Sequence, residues 1–165
     1  MPATPKSQCE YIYQSVPVSQ IPWETGEPSP DLISLLKEGV IKKGTKVLDV
    51  GCGLGTQTCF MAKKGAIVTG IDISETAIAK AREQMLKEDI NANFVVGDVC
   101  KMRFPNSSFN LVYDRGCYHH LAARERHDYV KEVNRVLSLH GILQILVFAG
   151  TLTPPEVIEL FLPHF

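Results

Sequence analysis

Apolar residues along this chain fall into short unbroken runs that alternate with stretches of helical spacing. Residues 47–50, 66–71, 93–97, 109–113 and 142–148 read as strands, buried on both faces because no polar residue alternates through most of them. Between them the period lengthens. A helix over 56–64 is closed by Gly65 in a C-terminal capping position. Ser74 caps a helix to about residue 87, with Ile78, Ala81 and Met85 on one face, and residues 122–137 carry Tyr129, Val130, Val133 and Leu137 inward. Ahead of these, Ser29-Pro30-Asp31 starts a helix whose stripe is Leu32, Leu35 and Leu36, with Ser29 as cap and proline in its first turn. Pro105–Ser108 and His140-Gly141 read as turns, and Pro154-Pro155 opens a last short helix. Continuous apolar strands alternating with helices predict an α/β fold, an open parallel sheet covered on both faces with right-handed crossovers.

The remaining segment changes the picture little. Residues 1–28 are rich in proline and polar groups, with Tyr11, Tyr13 and Trp23 interspersed, and read as an irregular arm, Trp23 being a candidate lid. Residues 29–165 then form a single domain. Composition fits: 165 residues, 45% hydrophobic and 21% charged, describe an ordinary folded chain. A net charge of −1 without runs of like charge offers no nucleic-acid surface. The apolar runs are too short to span a bilayer and no signal segment is visible, so a cytoplasmic location is expected. The five cysteines are odd in number and dispersed, which suits free thiols, and neither they nor the adjacent His119-His120 show metal-ligand spacing.

Chemistry concentrates after the first strand, in "VLDVGCGLGT", where Gly51, Gly53 and Gly55 stand at alternate positions. Glycine is unfavourable in both strand and helix, so the backbone here must either turn sharply or lie against a ligand. In an open parallel sheet, ligands bind outside the carboxyl ends of the strands where the strand order reverses, which is where this loop falls. A dinucleotide site requires G-x-G-x-x-G. The last glycine of that pattern is replaced here by Thr56, and the run from Asp49 to Gly55 reads D-x-G-x-G-x-G. Asp72 closes the second strand and would grip a ribose diol in either class of site.

"VLDVGCGLGT", followed by "VTGIDIS", "FVVGDV" and "FNLVYDRGCYHHL", resembles the motif series of class I S-adenosylmethionine-dependent methyltransferases, in order from about residue 46 to 148. "IPWETGEPSPDL" is similar to the amino-terminal segment of small-molecule methyltransferases of the thiopurine and tellurite-resistance type. The resemblance implies a Rossmann-like fold and transfer of a methyl group from S-adenosylmethionine to a small-molecule acceptor. It assigns cofactor contacts to Asp49, Gly51, Cys52, Gly53 and Gly55, with the methionine carboxylate near the following helix terminus. Asp72 takes the ribose hydroxyls, Ile73 an adenine face, Asp98 the adenine amine and Val99 a ring nitrogen through its backbone. Asp114 lines the meeting point of donor and acceptor, and Trp23 lies over the cofactor. Capping of turns or helices is the other reading of Asp98 and Asp114.

Methyl transfer from a sulfonium expels a neutral leaving group, so alignment and desolvation of the nucleophile carry much of the catalysis. A base helps where the acceptor has a proton to lose. Asp114, Tyr118, His119 and His120 fall near the expected site, and His119 is the preferred base, since imidazole titrates near neutrality; packing against the next helix is its other reading. Cys117 has no lysine beside it and is given no catalytic part. The family usually adds two carboxyl-terminal strands. Without them residues 142–148 form an exposed hydrophobic edge, which predicts a shortened chain or a homodimer paired through that edge. A cofactor-binding domain without turnover and a nucleotide-dependent oxidoreductase, the latter disfavoured by Thr56, are the alternative functions.

Overall fold

The computed structural model describes residues 6–147 and 154–161. In chain order these form α1 (Lys6–Ser15), a 3-10 turn (Val18–Gln20), α2 (Pro30–Lys37), β1 (Lys46–Val50), α3 (Thr56–Lys63) and β2 (Ile67–Asp72). There follow α4 (Glu75–Lys87), β3 (Asn93–Val96), β4 (Phe109–Arg115), a second 3-10 turn (Tyr118–His120), α5 (Ala123–Val136), β5 (Leu137–Leu146) and α6 (Pro154–Phe161).

Among the described residues the strands form one sheet in the order β3-β2-β1-β4-β5, and every neighbouring pair is parallel. The period of two sends alternate residues to opposite faces. Leu48, Val50 and Val112 meet Tyr129, Val130, Val133 and Val136 of α5 on one face. Val47, Leu111 and Tyr113 meet Leu32 and Leu35 of α2 and Met61 of α3 on the other. Both faces are dry, which is why the central strands read as apolar runs. This is the Rossmann-like, doubly covered sheet expected from the pattern. Its order reverses between β1 and β4, so the carboxyl ends of these two strands border the crevice where such sheets bind ligands.

Local chemistry sets the helix ends. The Ala77 N–H donates to Ser74 Oγ at 3.0 Å, capping α4 as expected. Ser29 stands at the start of α2 but caps nothing with its side chain. Its Oγ lies 2.7 Å from Tyr113 Oη and its N–H donates to Gln57 Oε1 at 2.9 Å. Tyr113 Oη donates to Asp31 Oδ2 at 2.8 Å, so it accepts from the Ser29 hydroxyl, and the buried serine spends its side chain on this long-range bond instead of on the helix start.

Two elements differ from the sequence reading. The arm is not irregular throughout: α1 places Cys9, Ile12 and Tyr13 along one face, and Tyr13 and Ile21 pack on Ala77 of α4 with 5% and 3% exposure. Glu10 holds the other side, accepting from Ser74 Oγ and Thr76 Oγ1, both at 2.5 Å. Strand β5 also begins at once after α5, where a turn was expected at His140-Gly141. Leu137 pairs with Phe109 and Ile142 with Leu111, so residues 138–141 bulge outward with His140 at φ 62°. The core claims Leu137, at 6% exposure, and pairing therefore starts before the turn residues. Among the described residues β5 is one edge of the sheet and β3 the other, and on β5 Ile142 and Leu146 are exposed. The expected strand end at Phe148 lies outside the described residues.

Gly55 ends the glycine turn at φ 81°, and a Cβ there would come within 2.6 Å of the Phe94 ring. Gly55→Ala adds left-handed strain to a steric clash and should destabilise the fold by about 2–4 kcal/mol. Urea denaturation checks this; an unchanged midpoint would show that the turn can relax.

Candidate functional site

The glycine turn is stitched to its neighbour before any ligand is considered. The N–H groups of Gly51 and Cys52 both donate to Ile71 O, at 2.8 and 3.1 Å. Gly51, Gly53 and Gly55 all take positive φ, at 65°, 54° and 81°. Each is also crowded by the chain itself. A Cβ would come within 2.8 Å of Cys117 Cβ at Gly51, and within 2.5 Å of Glu24 Oε1 at Gly53. Close approach is therefore demanded by protein atoms at every one of these glycines, and turn geometry with internal contact accounts for them.

Beside the turn opens a cleft of about 320 Å³ at the carboxyl ends of the strands. Gly51, Asp72, Ile73, Asp98 and Val99 border it from the sheet side. Cys9, Ile12, Tyr13 and Trp23 close it from the amino-terminal segment. Arg115, Cys117, His120 and Leu121 form its wall after β4, and Leu146 and Val147 reach it from the end of β5. Six expected site residues thus meet in one cavity or on its rim: Trp23, Gly51, Asp72, Ile73, Asp98 and Val99.

Asp72 is 7% exposed, and its two oxygens accept from Gly53 N and Ser74 N, each at 2.9 Å. Burial pushes its carboxyl up, against those N–H donors, which pull it down. Asp98 accepts from Cys100 N at 2.9 Å, so it caps its turn and borders the cleft at once. Trp23 Nε1 donates to Tyr13 Oη at 2.9 Å, and Arg115 donates from Nη1 to Trp23 O at 3.3 Å, holding this residue in the cleft lining.

The other expected residues lie behind the wall. Asp49 is 3% exposed and accepts from Thr58 Oγ1 at 2.6 Å; burial pushes it up to about 7. Cys52, its thiol raised by burial, lies toward Gly70, while Gly53 and Gly55 are covered by side chains. Asp114 is fully buried, accepting from Tyr129 Oη at 2.6 Å and from the N–H groups of Cys117 and Tyr118 at 2.7 and 3.1 Å. Its carboxyl is pushed up to about 6 by burial. It fixes the loop that forms the wall instead of lining the cleft. His119 is 6% exposed and borders no part of the cavity. Burial, with His120 and Arg126 nearby, pushes its imidazole down to about 4, too low for a base near neutrality.

Tyr13, Glu24 and Arg115 went unrecognised in the sequence. Glu24 Oε1 accepts from Leu54 N at 3.2 Å and so clamps the segment after Trp23 onto the glycine turn. The spacing of Cys9, Ile12, Tyr13 and Val16 was the available signal for α1. Among the described residues no group of three or more histidine, cysteine or acidic side chains is placed to hold a metal. No described helix is long and apolar enough to cross a membrane.

This geometry has relatives. Residues 47–141 match the family model described as a methyltransferase domain, which covers more than half of the chain, and the chain belongs to that family. It is 27% identical over 137 residues to the 2-heptyl-1-hydroxyquinolin-4(1H)-one methyltransferase of Mycobacteroides abscessus, covering 82% of this chain and 60% of that protein. It is 38% identical over 103 residues to the 2-methyl-6-phytyl-1,4-hydroquinone methyltransferase of Synechocystis, covering 62% of this chain and 31% of that one. The solved TehB-like SAM-dependent methyltransferase of Corynebacterium glutamicum superposes with a TM-score of 0.70 at 25% identity, over 81% of this chain and 71% of that one. The chain spans less than two thirds of the length of either curated relative.

The folded Asp49 carboxyl, at about 7, lies above its ordinary 3.8. The native state therefore keeps a proton that the unfolded chain has lost, and this group's contribution to stability is complete below about pH 4 and lost as pH rises toward 7. Asp49→Asn removes that loss while leaving an oxygen for Thr58. Its stability relative to wild type should rise from pH 4 to pH 8 in urea titrations, and a constant difference would place the Asp49 carboxyl near its ordinary value.

Proposed function

We propose that the cleft binds S-adenosylmethionine and that the protein transfers its methyl group to a small, largely apolar acceptor. The observation that carries this reading is Asp72, an almost buried carboxylate at the end of β2, beside the glycine turn and on the cleft wall. A buried carboxylate at that position favours two hydroxyls of a ribose, which donate to oxygens already oriented by Gly53 N and Ser74 N.

The residues present fit this cofactor. Ile73 and Val99 offer apolar surface to adenine, and Asp98 an acceptor for its amine. Asp72, Asp98 and the nearby Glu24 set a negative potential that suits a cationic ligand. Bound there, S-adenosylmethionine supplies a methyl group on positively charged sulfur. Ile12, Trp23, Leu121 and Val147 would exclude water from the acceptor's side, leaving its nucleophile poorly solvated. Both curated relatives are named for ring compounds bearing hydroxyl groups, and this apolar wall suits an aromatic acceptor of that kind.

Calorimetric titration with S-adenosylhomocysteine, S-adenosylmethionine and NAD tests the reading. Both adenosyl compounds should bind; affinity for NAD alone would overturn it. Asp72→Ala should weaken S-adenosylhomocysteine binding by about 1.5–3 kcal/mol, and Asp72→Asn by less, since one oxygen acceptor survives. Equal affinity in folded Asp72→Ala would remove this residue from the site.

A further inference from the structure

Two adjacent histidines follow β4, and the fold treats them differently. His119 is turned inward over Gly116 and buried. His120 lines the cleft, with its ring centroid 6.4 Å from that of Trp23 and the planes tilted at 59°. It therefore shares the cleft with Asp72 and Ile73, beside the indole of the amino-terminal segment and next in the chain to the apolar Leu121.

We propose that His120 is the general base of the methyl transfer, taking the proton from a hydroxyl, amine or thiol of an acceptor seated against Trp23 and Leu121. This rests on the methyl-transfer reading above. A phenol or similar acceptor is uncharged near neutrality and becomes a strong nucleophile only as its proton leaves. The acceptor's proton passes to an imidazole nitrogen of His120, and its heteroatom's electron pair forms the bond to the methyl carbon of the sulfonium donor. The bond from that carbon to sulfur breaks with its pair retained on sulfur. The products are the methylated acceptor, a neutral thioether and an imidazolium, which returns its proton to water.

The surroundings suit this task. Arg115 and Cys117 share the wall, Glu125 reaches it from α5, Cys9 and Tyr13 face it from α1, and Asp98 from the turn after β3. The His119 ring lies against His120 at 4.1 Å. Burial pushes the His120 imidazole below its ordinary 6.5, so it is neutral and ready to accept a proton at pH 7. Asp114 holds the loop that carries it through the N–H groups of Cys117 and Tyr118.

The test joins chemical mapping to kinetics. Diethyl pyrocarbonate, which modifies accessible neutral imidazoles, should label His120 faster than His119 in the intact chain, read by peptide mass spectrometry. Preferential labelling of His119 overturns the placement. With isotopically labelled S-adenosylmethionine, His120→Gln should lower kcat toward hydroxyquinolone and phenol probes by about 10²–10³-fold. Its KM for S-adenosylmethionine and its affinity for S-adenosylhomocysteine should change less than about twofold, because the loss falls on proton transfer. Thiophenol at pH 8, already largely ionised, should lose less than about threefold. The wild-type profile should show an acid limb below pH 6.5 that His120→Gln lacks, and His127→Gln, altered on the exposed face of α5, should match wild type. Equal losses with phenol and thiophenol would make His120 merely structural and overturn its role as a base. Undiminished turnover of the phenols by His120→Gln overturns the base alone. A wild-type chain that binds S-adenosylhomocysteine yet methylates no probe overturns the transfer reading and the base with it.

Discussion

One buried carboxylate joins the parts of this site. Asp72 accepts from Gly53 N in the turn after β1 and from Ser74 N at the start of α4. The same Ser74 caps α4 through its oxygen and donates its hydroxyl to Glu10 of α1. Gly53 in turn lies beneath Glu24 and Tyr13. Two strand-to-helix turns and the amino-terminal segment therefore converge on one side chain. Its desolvation is costly, and it is held by paired N–H donors that satisfy the charged form. The positions of its oxygens on the cleft wall are thereby already set.

Burial raises the carboxyls of Asp49, Asp72, Asp114 and Glu24 alike, and they cluster at the carboxyl ends of the strands. Only Asp72 among these four borders the cleft; Asp114 and Glu24 orient backbone around it, and Asp49 holds the Thr58 hydroxyl of α3. Asp114 binds the N–H groups of the loop after β4, and Glu24 the N–H of Leu54. Cys117 then packs against Gly51, so the loop after β4 and the turn after β1 are registered to each other. Acidic groups here serve as acceptors for turns that meet at a topological switch point.

The amino-terminal segment completes the cavity that the sheet leaves open. α1 contributes one face to the cleft and fixes its other side to α4 through Glu10, with the Lys80 ammonium donating to Tyr13 O at 2.6 Å. Tyr13 and Trp23 meet edge-on at 6.4 Å, and their hydrogen bond orients the indole in the cleft lining. The two sides of the cleft are consequently coupled: displacement of this segment would uncover both.

Strand and helix alternation was legible from the chain alone, because fully buried strands need continuous apolar runs and helices need an apolar stripe; both signals are local. The glycine turn, Asp72 and Asp98 were legible for a similar reason, since each belongs to a short motif tied to a strand end, and Trp23 stood in the short motif ahead of α2. Whether His119 or His120 faces the cleft was not, because neighbouring residues in a 3-10 turn diverge only after the loop is folded against α5. For Asp114 the sequence offered both a place in the site and a turn cap, and only the fold decided for the cap; nor could sequence show that the Ser29 side chain would leave the helix start for Tyr113. Those choices depend on which polar atoms become buried together across distant segments, and a buried acceptor takes the donor that tertiary structure brings to it. The order of elements and the turn chemistry follow from residues near in sequence; the division between cleft wall and interior follows from contacts that exist only once the sheet has closed.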